Sequence, residues 1–268
     1  MTTTLPPPMG GPSPAEVPLP HAPLVRVIAQ VRFPTILSIR NPEQVATFQE
    51  KIRRAYPVLN QEEIRRVVLN ADQPASDPKI QEDVVWRFSD RDRKWRVSLA
   101  TDFVALETTS YDNRRDFLTR LRSIVGAVET TMNPQEAFRL GVRYIDRITG
   151  PALRDISKLI RQEVLGVSLS PIGAAAETVL TQTQFRAEEG LLQARWGLLP
   201  ANGTIDPGTL EPIDEPSWIL DLDMSSTEPL DFSADILGNA AEQFTERVYS
   251  VFRWMVSADF LRFYGGQP

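Results

Sequence analysis

Apolar residues alternate with polar ones over several short stretches of this chain and recur at helical spacing over others. These two periods divide it into elements. In "PLVRVIAQVRFP", Val25, Val27, Val31 and Phe33 alternate with Arg26, Ile28, Gln30 and Arg32, which predicts a strand stopped by Pro34. In "NPEQVATFQEKIRRAY", Asn41 is placed as an N-cap, Pro42 at the first helical position, and Val45, Phe48 and Ile52 on one face. That predicts an amphipathic helix closed before Pro57. A strand is expected near "EIRRVVL", followed by the polar loop "NADQPASDPK". "DVVWRFSD", "KWRVSLA" and "DFVALETTSY", joined by short turns, read as an antiparallel meander. The helix "NRRDFLTRLRSIVGAVETTM" follows, with Asp112 as its cap and Phe117, Leu121, Ile124 and Val128 as its stripe. Asn133-Pro134 is read as a short helical turn ahead of the strand "RLGVRYIDRI".

A similar order returns downstream. "ETVLTQTQFRAEEGLLQARWGLLP" reads as a hairpin turning at Glu189-Gly190, and a loop rich in Pro, Gly and Asp leads to the strand "WILDLDMSS". Ser233 or Asp231 caps a long helix, "ADILGNAAEQFTERVYSVFRWMV", with Phe244, Val248, Val251 and Met255 on its core face. Tyr249, Phe252 and Trp254 widen that face, as expected of a helix enclosed by the sheet. The expected fold class is α+β, a curved antiparallel sheet packed against long helices, with a β-β-β-α order in each half that points to duplication. Residues 23–150 and 151–268 form the two halves, packed together. Eight prolines in the first 23 residues predict an extended or disordered leader over 1–22.

As a strand, "RLGVRYIDRI" points Leu140, Val142, Tyr144 and Ile148 one way and Arg139, Arg143 and Arg147 the other. Arg32 extends this basic set on the first strand. On "WILDLDM", Asp221 and Asp223 share one face and Trp218, Leu220, Leu222 and Met224 the other. Pairing of the arginines with these two aspartates is the favoured reading. The alternative is an anion pocket in which Arg139, Arg143, Arg147 and Arg32 grip phosphate or carboxylate through their planar forks.

Composition removes several chemistries. The chain has no cysteine, and its single histidine, His21, lies in the leader, which argues against thiolate chemistry, a Ser-His-Asp triad and a multi-histidine metal site. It contains neither a phosphate loop ending in Gly-Lys-Ser/Thr nor a Gly-x-Ser-x-Gly elbow. No catalytic residue, metal or cofactor is therefore assigned, although Asp221 and Asp223 keep a metal-dependent hydrolase as an alternative. Residues 1–150 carry 21 Lys+Arg against 18 Asp+Glu, and residues 151–268 carry 8 against 17. That acidic second half argues against nucleic acid as a partner. No apolar run reaches bilayer length and the N-terminus lacks the pattern of a secretory signal, so a cytoplasmic protein without a membrane partner is expected.

"PLPHAPLVRVIAQVRF", "DFVALETTSYDNRRDFLTRL", "RLGVRYIDRI", "WILDLDM" and "FTERVYSVFRWMVSADFLRFYG", in that order, resemble a sporadically distributed, uncharacterised prokaryotic protein family. The resemblance spans almost all of the chain after the leader. The family pattern places a histidine in the last long helix, where this chain reads "AAEQFTERV". The resemblance carries over no activity, and the family's scattered occurrence implies accessory or defence-related roles. The leading expectation is a non-enzymatic regulatory protein that engages a protein partner through its proline-rich arm, in a defence or toxin–antitoxin-like system. A small anionic-ligand binder with a pocket between sheet and helices is the alternative, and a homo-oligomer is left open.

Overall fold

Alternation in the first strand puts Val27, Ala29 and Val31 fully inside, and that strand becomes β1 (Leu24–Arg32) at the middle of the sheet. The computed structural model describes residues 7–68 and 79–268, so most of the polar loop "NADQPASDPK" lies outside the described residues. After β1 come α1 (Pro42–Ile52), β2 (Val58–Val68), β3 (Lys79–Ser89), β4 (Trp95–Ala100), β5 (Phe103–Thr108) and α2 (Arg114–Met132). Next are β6 (Glu136–Ala137), β7 (Arg139–Ile148) and the short helices α3 (Gly150–Arg154), α4 (Ile156–Leu159) and α5 (Gln162–Leu165). The chain continues through β8 (Val179–Arg186), β9 (Leu191–Leu199), β10 (Ser217–Ser225) and β11 (Leu230–Asp231) to α6 (Ala234–Met255) and α7 (Ala258–Phe263).

Nine of these strands form one curved antiparallel sheet in the order β2-β3-β4-β5-β1-β7-β10-β9-β8, which is the expected α+β class. The order is nearly symmetric about the β1–β7 pair. On each side a strand is followed by helical chain and then by a meander whose last strand returns beside the first, after which a long helix crosses the sheet. The repeating unit is therefore β-α-β-β-β-α, with one additional meander strand, β2, in the first half. Because β7 opens the second unit, the topological break falls between α2 and β7, ahead of residue 150.

Helices α1, α2 and α6 cover one face of the sheet. Phe117, Leu121, Ile124 and Val128 of α2 and Leu237, Phe244, Val248, Val251 and Met255 of α6 bury the helical stripes against it. Burying a large apolar side chain contributes about 1.5–3 kcal/mol, so these two rows are the main adhesive between the layers. The caps follow from short polar side chains. Asn41 accepts from the Glu43 amide at 2.9 Å and Ser233 from the Asp235 amide at 3.3 Å. In α2 the cap is Asn113, accepting from the Asp116 amide at 2.9 Å, and not Asp112. Asn133 opens no helical turn; it ends α2 in the left-handed region at φ 49°, which an Asn tolerates, and the short β6 follows. Among the described residues, no helix is long and apolar enough to cross a membrane.

Over residues 7–22 the proline-rich leader runs irregularly between turns at 7–8 and 20–21 and is docked on the core. Met9, Val17 and Leu19 pack against the core, and Arg247 of α6 donates to the Pro8 carbonyl at 2.6 Å and the Gly11 carbonyl at 3.1 Å. Prolines cannot join a sheet ladder, so the carbonyls they leave free are met by side chains of α6.

Candidate functional site

The sheet has two chemically different faces, set by the alternation of β7. Arg139, Arg143 and Arg147 lie on the outer face, away from the helices. Arg143 forks onto Asp221 of β10, with Nε to Oδ1 at 2.8 Å and Nη2 to Oδ2 at 3.0 Å. Arg195 of β9 reaches the same carboxylate from the other side, its Nη2 at 2.6 Å from Oδ2. The Asp221 side chain is fully enclosed between these two cations. Arg143 uses its third nitrogen on Asp206 at 2.9 Å. Burial works against the Asp206 charge, but hydrogen bonds from Arg143 and Thr209 outweigh it and hold that carboxyl below its ordinary range.

Asp206 belongs to the 200–216 loop, whose Ile205 and Leu210 pack over Ile145, Leu199 and Ile219 on this outer face. Arg147 donates to the Glu211 carbonyl of the same loop at 2.6 Å. Asp223 sits opposite Arg143 in register but bonds Arg139, whose guanidinium lies across the bare backbone of Gly141. Burial raises the Asp223 carboxyl above its ordinary value against the opposing pull of Arg139 and Arg143. Arg32 lies opposite Arg139 in the β1–β7 register and pairs with Asp102 at 2.5 Å. At about 3.3 Å per residue, Arg139 and Arg147 stand roughly 26 Å apart. The four arginines therefore form no single anion pocket. They clamp strands together and hold the 200–216 loop down.

Asp221 and Asp223 each face arginines, and such neighbours repel a divalent ion. Among the described residues no group of three or more His, Cys, Asp or Glu is placed to hold a metal.

The inner face carries a different site. Between β7, the start of α2, α6 and the N-terminal arm lies a cavity of about 390 Å³, within the range of small-molecule sites. Its floor is Tyr144 and Asp146 of β7 with Leu24 and Leu222 from the flanking strands, and Tyr111 and Arg114 close one end. Thr245, Val248, Tyr249 and Phe252 of α6 form one wall, and Glu16 to Pro20 of the arm form the other. The wall is tied in place by the Tyr249 hydroxyl, which accepts from the Val17 amide at 2.7 Å and donates to the Ala15 carbonyl at 3.3 Å. Arg114 bonds Glu16 at 2.7 Å and lies over the Tyr249 ring.

Asp146 is the unusual member. It is 7% exposed, points to the helix side between Tyr144 and Ile148, and has no hydrogen-bond or ion-pair partner among the described residues. Burial alone pushes its carboxyl up to about 7. The hydroxyls of Tyr144 and Tyr111 meet at 3.3 Å, and burial pushes the Tyr111 phenol up to about 12 and the Tyr144 phenol well above its ordinary value. Burial and the neighbouring Asp146 charge together push Tyr264 up to about 12. Around neutrality, Asp146 is thus the one group of this floor poised between charge states.

The anion pocket expected between sheet and helices thus becomes a cavity whose floor is acid and phenol, with the arginine row behind the sheet. A signal for it stood in the sequence: the core-facing series Leu140, Val142, Tyr144, Ile148 skips a position, and that position is Asp146. The arm's part in the wall had no signal, because proline spacing does not reveal where an extended segment docks.

No protein-family model matches the chain, and no curated protein sequence matches it. The resemblance to the sporadically distributed family therefore rests on the segments quoted above.

Two measurements check this assignment of the faces. Asp221→Ala leaves Arg195 without its acid and Arg143 with Asp206 alone, and is expected to cost about 3–5 kcal/mol in denaturant unfolding. Asp223→Ala, at a partly exposed pair, is expected to cost about 0–1 kcal/mol; equal losses would contradict the geometry. Asp146 has the opposite signature. Its unfolded carboxyl ionises near 4 and its folded one near 7, so raising the pH between those values favours the unfolded chain. Stability is expected to fall across that window and stay low above it, by a few kcal/mol, with Asp146→Asn removing most of the slope and stabilising the protein at pH 8. A wild-type slope kept in Asp146→Asn would contradict the burial of an unpaired acid.

Proposed function

We propose that the chain is a small-molecule-binding protein whose ligand occupies the inner cavity and presents a protonated amine, or a comparable cationic donor, to Asp146. The carrying observation is the buried, partnerless carboxylate in the floor of a formed cavity. A buried carboxylate without a partner is unfavourable, and a cationic donor would relieve it through a charge-assisted hydrogen bond. The surroundings support the same class of ligand. Glu16 and Asp112 add acid at the rim, Arg114 is already engaged by Glu16, and Tyr111, Tyr249 and Phe252 offer the aromatic walls that favour cations. The arm walls one side of the site, which lowers the local polarity and strengthens the electrostatic contact inside.

This reading takes precedence over a partner-binding protein whose arm orders on its partner, because residues 7–22 already dock on α6 of their own chain. A role in an accessory or defence system is compatible with ligand sensing, and is proposed on the resemblance alone. Binding without turnover is the simplest reading, since the floor of the cavity brings one buried acid together with phenols and the two other acids, Glu16 and Asp112, lie at the rim.

The test is a panel of aromatic and aliphatic amines measured by calorimetry and thermal shift against the wild type and Asp146→Asn. Amines with a planar apolar body are expected to bind one per chain. Loss of the charge-assisted bond, about 1.5–3 kcal/mol, should weaken them at least tenfold in Asp146→Asn. Binding that is indifferent to Asp146→Asn would reject the proposal.

A further inference from the structure

On the outer face of the first half lies a second concavity that the amine reading does not use. It has a volume of about 550 Å³ and lies over β1, β3, β4 and β5, walled by Val58 to Asn60 of β2, by the β3–β4 turn and by Glu211 of the 200–216 loop. The strand register gathers its charges. Arg96 stands directly opposite Glu107, and Arg87 stands between Asn60 on one side and Ser98 on the other. Arg26, beside them on β1, reaches Glu107 at 3.4 Å. Period-two alternation thus places three guanidiniums from β3, β4 and β1 on one patch, with β5 and its Glu107 between β4 and β1 and about 4.8 Å between adjacent strands.

The carboxylates present do not balance these cations. Glu107 is shared by Arg26 and Arg96, Glu62 pairs with Arg87 at 2.6 Å, and Glu211 is the remaining acid of the lining. Arg93 and Lys94 of the β3–β4 turn are exposed, line the same concavity, and have no acidic partner among the described residues. The lining therefore holds five cationic side chains, Arg26, Arg87, Arg93, Lys94 and Arg96, against three carboxylates. Burial together with the facing charges of Arg87 and Arg26 makes Arg96 a less comfortable cation than a solvated arginine. An excess of positive charge held in a concave, partly desolvated patch is what a polyanion relieves, and arginine forks match phosphate oxygens in pairs.

We propose that this outer concavity is a binding site for a small phosphorylated anion of the phosphate or pyrophosphate class, separate from the amine cavity. Arg96 and Arg87 grip the anion from the sheet, and Arg93 and Lys94 close on it from the turn. The small size of the patch and the net charge of −6 favour a metabolite over a nucleic-acid backbone, which needs a longer basic track. The site shares no lining residue with the inner cavity, so either proposal stands or falls without the other.

The experiment is calorimetric titration of the full chain with sodium pyrophosphate at low ionic strength, repeated with sulfate at equal ionic strength. Saturable binding of one pyrophosphate, tighter than sulfate, is expected. In Arg93→Gln/Lys94→Gln, which breaks no ion pair, and in Arg96→Gln, which leaves Glu107 its bond to Arg26, the affinity is expected to fall by about tenfold or more. Asp146→Asn is expected to bind pyrophosphate like the wild type. Absence of saturable binding, equal binding of sulfate, or wild-type affinity in both sets of variants would overturn the proposal.

Discussion

Antiparallel pairing of β1 with β7, from Leu24 opposite Asp146 to Arg32 opposite Arg139, joins the two halves and decides which way every neighbouring side chain points. A slip of one residue would exchange the faces. Asp146 and Tyr144 would leave the cavity for the outer surface, and Arg139, Arg143 and Arg147 would be driven into the helix layer. The register is held from both sides. Val27, Ala29, Val31, Leu140 and Val142 are fully buried under the helices, and on the reverse face Arg143 is locked to an enclosed Asp221. Apolar burial favours this register, and the buried ion pair penalises the alternatives.

Much of this was legible in the sequence because it follows from local periods. The amphipathic helices, the meander, the two-faced strand "RLGVRYIDRI" and the α+β class all rest on alternation or helical spacing that the sheet and helices then realise. The repeat was visible as order, but its extent was not. The strand that opens each unit pairs with its counterpart in the other half, and such long-range pairing leaves no local trace. That α2 is capped by Asn113 and not by the expected Asp112 depends on backbone geometry that composition does not fix.

The site was harder to read for a physical reason. Charged residues on a strand draw attention by number, so the three arginines of β7 dominated, while one aspartate on its apolar side did not. In the fold each of these arginines bonds an acid or a backbone carbonyl, whereas Asp146 has no partner among the described residues. Arginine on the outer face serves architecture where aspartates of the second half meet it, and among the described residues it is in excess around Arg96, where the 200–216 loop reaches the concavity through Glu211. The arm adds the remaining element, since Tyr249 and Arg247 turn a proline-rich segment into a wall of the inner cavity.

The proposed amine site depends on Asp146 being a buried carboxyl that no side chain among the described residues neutralises. Its ionisation can be followed directly by ¹³C NMR of the labelled carboxyl, with Asp146→Asn assigning the resonance. The account expects a midpoint of about 7 in the free protein, shifting downward when an amine ligand is bound. A midpoint near the ordinary value of about 4 in the free protein would mean that the carboxyl is solvated or paired, and would contradict the account.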